Sequence, residues 1–250
     1  MPEEHVISQE FGKRSDKYEK AEWVKDDTFL EALVAFGELR GDECALEIGI
    51  GTGKVAAKMR QHTGALIGVD VSKLMLSRAE RYLPRHHLLC CEIERLTSLF
   101  LDEAFDLIYN RAVLHHVDIP RILSSMRTLL KPGGKLLVAE TVAVAEGDEP
   151  FQLAFVESLH TGHTEFPTAD RLLAIVVQAG FELCKHRIWL ERASLRNILT
   201  STDKSEREKA EIFTMFHEAP EQTKDWWNMQ FEEDDVLFDK NWAMVLAVKA

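Results

Sequence analysis

The sequence predicts an α/β fold: a mostly parallel sheet with helices on both faces. Three observations lead there. Short apolar runs recur through the middle of the chain: ECALEIGI (43–50), GALIGVD (64–70), HHLLCCE (86–92), FDLIYN (105–110) and GKLLVAET (134–141). Helix-like stretches such as SKLMLSRAERYL (72–83) and IPRILSSMRTLLK (119–131) lie between them, an alternation that builds a parallel sheet. The runs are continuously apolar rather than alternating, as strands covered on both sides are.

The elements follow in order. FLEALVAFGELR (29–40) carries an apolar stripe at helical spacing and is expected to pack against the sheet edge. Ser72 and Asp118 are placed to cap the helices that follow them, the second with Pro120 in its first turn. Pro132-Gly133-Gly134 stops that helix and turns the chain into the next strand. Beyond Thr141 the rhythm changes. A loop and helix are expected over 146–160, a helix over 168–182 ending at Gly180, and a strand over 183–190. Residues 193–235 read as helices inserted before a last strand, WAMVLAVKA (242–250). The expectation is one domain: a helical cap over 1–40, a core over 41–141, and the remainder over 142–250.

The 250 residues carry a formal charge of −12 and are 46% apolar. That composition argues against disorder, and an acidic surface is a poor match for a phosphate backbone. No apolar run approaches the roughly 20 residues that cross a bilayer. The opening MPEEHVISQEFGKR is too polar for a secretory signal, so a cytoplasmic location is expected. Cys44, Cys90, Cys91 and Cys184 show no paired spacing, and Cys44, Cys90 and Cys184 are expected to be buried small hydrophobes.

Residues 46–53 read LEIGIGTG. Glycine at that density is costly in chain entropy, so something needs bare backbone there. A phosphate-cradling loop would put its first glycine at Ile48 and a hydroxyl at Val55, and fails at both. A dinucleotide site would need a third glycine where Lys54 stands. A nucleoside joined to an amino acid needs close backbone approach without a full phosphate nest. It also needs an acid after the second strand for its ribose diol, and Asp70 stands there.

On these residues the chain resembles the class I S-adenosylmethionine-dependent methyltransferases, of Rossmann-like fold with a seven-stranded sheet. LEIGIGTG resembles that family's first motif and GVDVS its ribose segment. CEIERL, EAFDLIYNRAVLHHV and LLKPGGKLLVAET resemble the third, fourth and fifth strands with their loops. The resemblance implies S-adenosylmethionine as cofactor and S-adenosylhomocysteine as product. It places Glu47 near the methionine amino group or the loop backbone, and Gly49, Gly51 and Gly53 against the cofactor. Asp70 would hold the ribose, with Val71 beside the adenine. Glu92-Ile93 stands where relatives carry Asp and a small residue, so Glu92 would accept from the adenine amino group. Asn110 and Arg111 would line the methionine end, and Leu114 the methyl group. FGKRSDKYEKAEW (11–23) resembles the segment that folds over the cofactor in small-molecule members, with Tyr18, and after it Trp23, as the covering aromatic.

Methyl transfer from a sulfonium is an in-line displacement helped chiefly by alignment and exclusion of water. A general base is needed only where the acceptor must lose a proton. His115 (beside His116), His160 and His163 are the candidates; no metal is expected. Phe213, Met215, Phe216, Trp226, Trp227, Met229 and Phe231 either pack the insertion onto the domain or form an apolar lid over an acceptor. The expected activity is methylation of a small, apolar or aromatic acceptor. The nearest likeness is to the quinone-biosynthesis C-methyltransferases, and the protein would be a monomer or homodimer. The rivals are a methyltransferase of carboxylates or carrier-bound acids, a module that binds the cofactor without transfer, and a nicotinamide-dependent dehydrogenase.

Overall fold

Eight strands form one sheet in a computed structural model that describes residues 24, 26–160, 162 and 165–250. Strands β1 (Cys44–Ile48), β2 (Ala65–Asp70), β3 (Leu88–Cys90), β4 (Phe105–Arg111) and β5 (Leu130–Thr141) are parallel. Strand β6 (Phe181–Ser194) and the two-residue β7 (Gln230–Phe231) both pair antiparallel to β8 (Val236–Lys249), itself antiparallel to β5. The lateral order is β3-β2-β1-β4-β5-β8-β6, with β7 off the path on β8.

The helices are those the periodicity demands. Helix α1 (Asp27–Phe36) is capped by Asp26, and α2 (Lys54–Met59) springs from Gly53. Helix α3 (Lys73–Ala79) is capped by Ser72, and the one-turn α4 (Leu96–Leu99) follows β3. Helix α5 (Ile119–Leu129) is capped by Asp118, whose carboxylate accepts from the Arg121 N–H at 3.1 Å. Then come α6 (Glu149–Leu159), α7 (Ala169–Gln178), α8 (Leu195–Thr200), α9 (Glu206–His217) and α10 (Glu221–Trp226). One face of the sheet packs Leu46, Ile48, Ile108 and Val138 against α5 and α7. The other packs Ala45, Leu107, Tyr109 and Trp242 against α1, α2 and α3. Helix α1 therefore covers a face of the sheet, not its edge.

Four expectations are corrected. The sheet has eight strands rather than seven, because Gln230–Phe231 adds a short rung to β8. The last strand begins at Val236 rather than 242, and β6 runs over 181–194 rather than 183–190, because each extends the other's ladder. The cysteines are not buried: Cys90 and Cys184 are exposed and Cys44 is half-buried. Cys90 and Cys184 lie on β3 and β6, the two outermost strands, where apolar runs lack a covering neighbour.

The aromatics of the insertion resolve into a second, smaller core. Trp227, Phe216 and Phe238 are buried together with Phe155 of α6, their rings meeting mostly edge to face at 4.9–6.0 Å. The Trp227 Nε1–H donates to buried Asp148 at 2.7 Å. Phe213, Met215, Trp226 and Met229 pack half-buried around that core, and Phe231 stays largely exposed. Phe216 and Trp227 are thus interior residues of the appendage. Trp227→Ala should cost about 3–5 kcal/mol in urea unfolding, the usual penalty for a large aromatic removed from a core. A cost below ~1 kcal/mol would show the ring is not a core element.

Candidate cofactor site

The carboxyl ends of β3, β2, β1 and β4 lie side by side, and the strand order reverses between β1 and β4. In open parallel sheets ligands bind outside that edge at such a reversal. The Gly49–Gly53 loop sits there. All three glycines are left-handed, with φ of 67°, 53° and 82°. A Cβ on Gly49 would lie 2.4 Å from Val113 Cγ2, and one on Gly53 would lie 3.0 Å from the Ala79 Cα of α3. Two of the glycines are therefore fixed by the protein's own packing, whatever binds outside.

Asp70 closes β2 and is buried. One carboxylate oxygen accepts from the Gly51 N–H and the other from the Ser72 N–H, both at 2.8 Å. These bonds lock the carboxylate beside the glycine loop, and each oxygen keeps acceptor capacity. Val71 follows, half-buried. One strand over, Glu92 and Ile93 stand at the tip of β3 in a single 3-10 turn, with Glu92 half-buried at its start and Ile93 packed on the core. Their positions beside Asp70 follow from the register Asp70 to Cys90.

Glu47, near the end of β1, is 1% exposed and accepts from the Tyr109 hydroxyl at 2.8 Å. Burial drives its carboxyl up to about 8, and drives that of Asp70 to about 6. Arg111 lies on the same face at the end of β4. Its guanidinium is held 4.4 Å from the Phe29 ring centroid and 5.0 Å from that of Trp242. On the opposite face Asn110 is buried, and neither polar atom of its side chain has a partner among the described residues; the buried Thr52 hydroxyl of the loop has none among them either. Buried polar atoms are ordinarily satisfied, so orphans at the loop fit a site completed by a polar ligand. An adenosyl amino acid brings hydroxyl, amino and carboxylate groups to such a place.

The chain then turns through Ala112, a non-glycine at φ 56°. Beyond it lies a residue that the sequence reading missed. Glu140, at the end of β5, is fully buried. One oxygen accepts from the Val113 and Leu114 N–H groups at 2.9 and 2.6 Å; the other accepts from Thr141 N–H at 3.0 Å and meets His115 Nδ1 at 2.6 Å. A carboxylate offers only acceptors, so His115 donates from Nδ1. The available signal was an acid inside a continuous apolar strand, since Glu is almost never fully buried without partners. The His115 ring stacks on Phe166 at 5.0 Å and against His116 at 4.1 Å, and His160 lies 6.4 Å from His116. His116 Nδ1 meets the Gly162 carbonyl at 2.9 Å. Leu114 is buried beside His115. The structure thus gathers His115, His116 and His160; Tyr18, Trp23 and His163 lie outside the described residues. Among the described residues no group of His, Cys, Asp and Glu is arranged to hold a metal.

The raised carboxyls of Glu47 and Asp70 have a sign. The folded state holds protons that the unfolded state, with ordinary carboxyls at 4.5 and 3.8, has released. Ligand-free stability should therefore fall as pH rises, from about 4 to about 6 for Asp70 and on toward about 8 for Glu47. Glu47→Gln should flatten the upper part of that decline in thermal melts; an unchanged slope would mean that Glu47 is ionised throughout.

Residues 46–138 match the methyltransferase-domain family. An uncharacterised methyltransferase of Mycobacterium tuberculosis is 29% identical over 117 residues, 46% of this chain and 57% of that protein. The chain thus spans a little over half the length of that curated relative. A Bacillus halodurans protein described as a methyltransferase superposes with a TM-score of 0.81 at 20% identity, over 88% of this chain and 98% of its own. Geranyl diphosphate C-methyltransferase of Streptomyces coelicolor, solved with S-adenosylhomocysteine, superposes with a TM-score of 0.63 at 13% identity, over 90% of this chain and 76% of its own. The loop, the strand order and the family match agree in likening residues 46–138 to a methyltransferase domain, and the superposed structures share its fold.

Proposed function

We propose that the chain is an S-adenosylmethionine-dependent methyltransferase of the cytoplasm, acting on a small, apolar or aromatic acceptor by in-line displacement. The observation that carries the reading is Asp70: a buried carboxylate locked by Gly51 and Ser72 beside a left-handed glycine bend. When bound, the cofactor supplies an electrophilic methyl group on a sulfonium. Gly49, Gly51 and Gly53 give it room against the backbone. Asp70 accepts from the ribose diol, Val71 and Ile93 flank the adenine, and Glu92 accepts from the adenine amino group. Glu47, Asn110 and Arg111 take the methionine end, and Tyr18 covers the cofactor.

For an acceptor that must shed a proton, His115 is the base. Its Nδ1–H is committed to Glu140, which leaves Nε2 as the nitrogen with a lone pair. His160 and His163 contact the acceptor, and residues 142–250 form its side of the single domain. The half-buried His116 ring, set against His115, offers a flat surface suited to an aromatic or apolar acceptor, including the C-methylated kind of the quinone-biosynthesis group. The other readings are methylation of a carboxylate or carrier-bound acid, and cofactor binding without transfer.

S-adenosylhomocysteine should bind the protein in calorimetry. Asp70→Ala should weaken binding by one to two orders of magnitude, from charge-assisted hydrogen bonds of roughly 1.5–3 kcal/mol. Unchanged affinity in a folded variant would remove the ribose from Asp70. Against a panel of phenols, enols and carboxylic acids with labelled cofactor, His115→Gln should abolish transfer and retain S-adenosylhomocysteine binding. Full transfer by that variant would exclude His115 as base, and binding with no transfer to any acceptor would favour the binding-module reading.

A further inference from the structure

β6 ends the sheet, and among the described residues no strand pairs with its outer edge. It is long, at 14 residues, and it is exposed on both faces. An uncovered edge of this length presents a row of backbone donors and acceptors to any strand that can align with it. From Lys185 onward its register to β8 is regular, so side chains alternate strictly between the two faces. Arg187, Trp189 and Glu191 share one face, with the Arg187 guanidinium 5.3 Å from the Trp189 ring centroid. Ile188 and Leu190 share the other, 40% and 60% exposed, two of the few large apolar side chains that lie in water among the described residues.

We propose that β6 pairs with β6 of a second copy of this chain, antiparallel, about a twofold axis through Trp189. The axis must stand normal to the sheet, so residues that meet share a face and their numbers have an even sum. Centred on Trp189, the pairing sets Ile188 of each copy opposite Leu190 of the other, so the exposed apolar residues cover each other. It sets Arg187 opposite Glu191 twice, opposite charges that favour directly facing positions. A centre at Arg187 would put two guanidinium groups face to face, and a centre at His186 would oppose Lys185 with Arg187. The charge pattern is self-complementary in the Trp189 register. Charged residues on an edge ordinarily guard it against pairing. Here the residue facing Arg187 is an acid from the same strand, so the guard turns away other edges and admits this one. The two sheets would join into one, without involving the glycine-loop edge of either.

Analytical ultracentrifugation and a designed cross-link test this. Wild-type protein should sediment at twice the 28.5 kDa chain mass. Ile188→Lys and Arg187→Glu should each weaken the dimer more than about tenfold, placing a charge against Leu190 and a like charge against Glu191. Both positions are exposed, so both variants should stay folded and keep S-adenosylhomocysteine binding, with a melting temperature lowered at most by the loss of the dimer. With Cys90 and Cys184 replaced by Ser, the pair Ile188→Cys and Leu190→Cys should oxidise to a covalent dimer, since directly opposed residues lie within disulfide reach. A wild-type monomer at about 100 µM would overturn the proposal, because an interface weaker than that is not specific at cellular concentrations. So would a dimer that survives both charge variants and yields no cross-link.

Discussion

The Gly49–Gly53 bend is the constraint on which the rest of the site depends, and it presses from two sides. On the inner side a Cβ at Gly49 would collide with Val113, and one at Gly53 would press tightly on Ala79. On the outer side Asp70 pulls the Gly51 N–H toward β2. The bend therefore ties β1 to the tips of β2 and β4 and to α3 at once. A ligand that lies on it meets a backbone already held in place, so little ordering entropy remains to be lost on binding. Bare glycine in such a loop is commonly ascribed to the ligand alone. Here the packing of Val113 and Ala79 would disfavour side chains even in an empty site.

A second tie acts on the far side of β4. Glu140 gathers four groups from two stretches of chain: the backbone of Val113 and Leu114 with the adjoining His115 ring, and its own neighbour Thr141. The first two hold the loop whose Val113 wedges against Gly49. The His115 contact fixes an imidazole two residues from that wedge. One buried carboxylate thus couples the position of the glycine bend to that of the imidazole. Buried acids with complete partner sets are costly to disturb in part, because removing one partner leaves the desolvation cost in place.

The sequence disclosed what periodicity and ligand chemistry dictate. Helices α3 and α5 announced themselves by Ser72 and Asp118 at their starts, and both caps form. Asp70 was expected as an acid at the second strand's tip, and it does close β2 beside the glycine bend. Glu140 was not, because its partners are backbone groups of another strand's exit loop, and no spacing in the chain encodes that meeting. The exposed cysteines were misjudged for a related reason. An apolar run reads the same in a central strand as in an outermost one, and lateral order is set by crossovers that local pattern does not contain. The ladder between β6 and β8 was longer than either run suggested, because each strand completes the other's hydrogen bonds past the end of its apolar stretch. Trp226 and Trp227 are adjacent in sequence, yet one is half-buried and the other interior. Asp148, 79 residues away in the chain, sits against the buried one.

Burial also sets the electrostatics of the edge. Glu47 and Asp70 lose hydration on folding, and the hydrogen bonds they accept only partly replace it, so both carboxyls hold their protons to higher pH than carboxyls in water. An environment that penalises an anion is relieved by a cation brought into contact with it. A sulfonium that also carries an ammonium group would supply that relief, and its demethylated product, one positive charge poorer, would supply less. On the proposed reading, the same desolvation that makes these acids unfavourable in the empty fold favours the methylated cofactor over the spent one. That asymmetry needs no dedicated contact to the methyl group. It follows from placing poorly hydrated carboxyls where the strands end, with Arg111 only a partial counter-charge to Glu47.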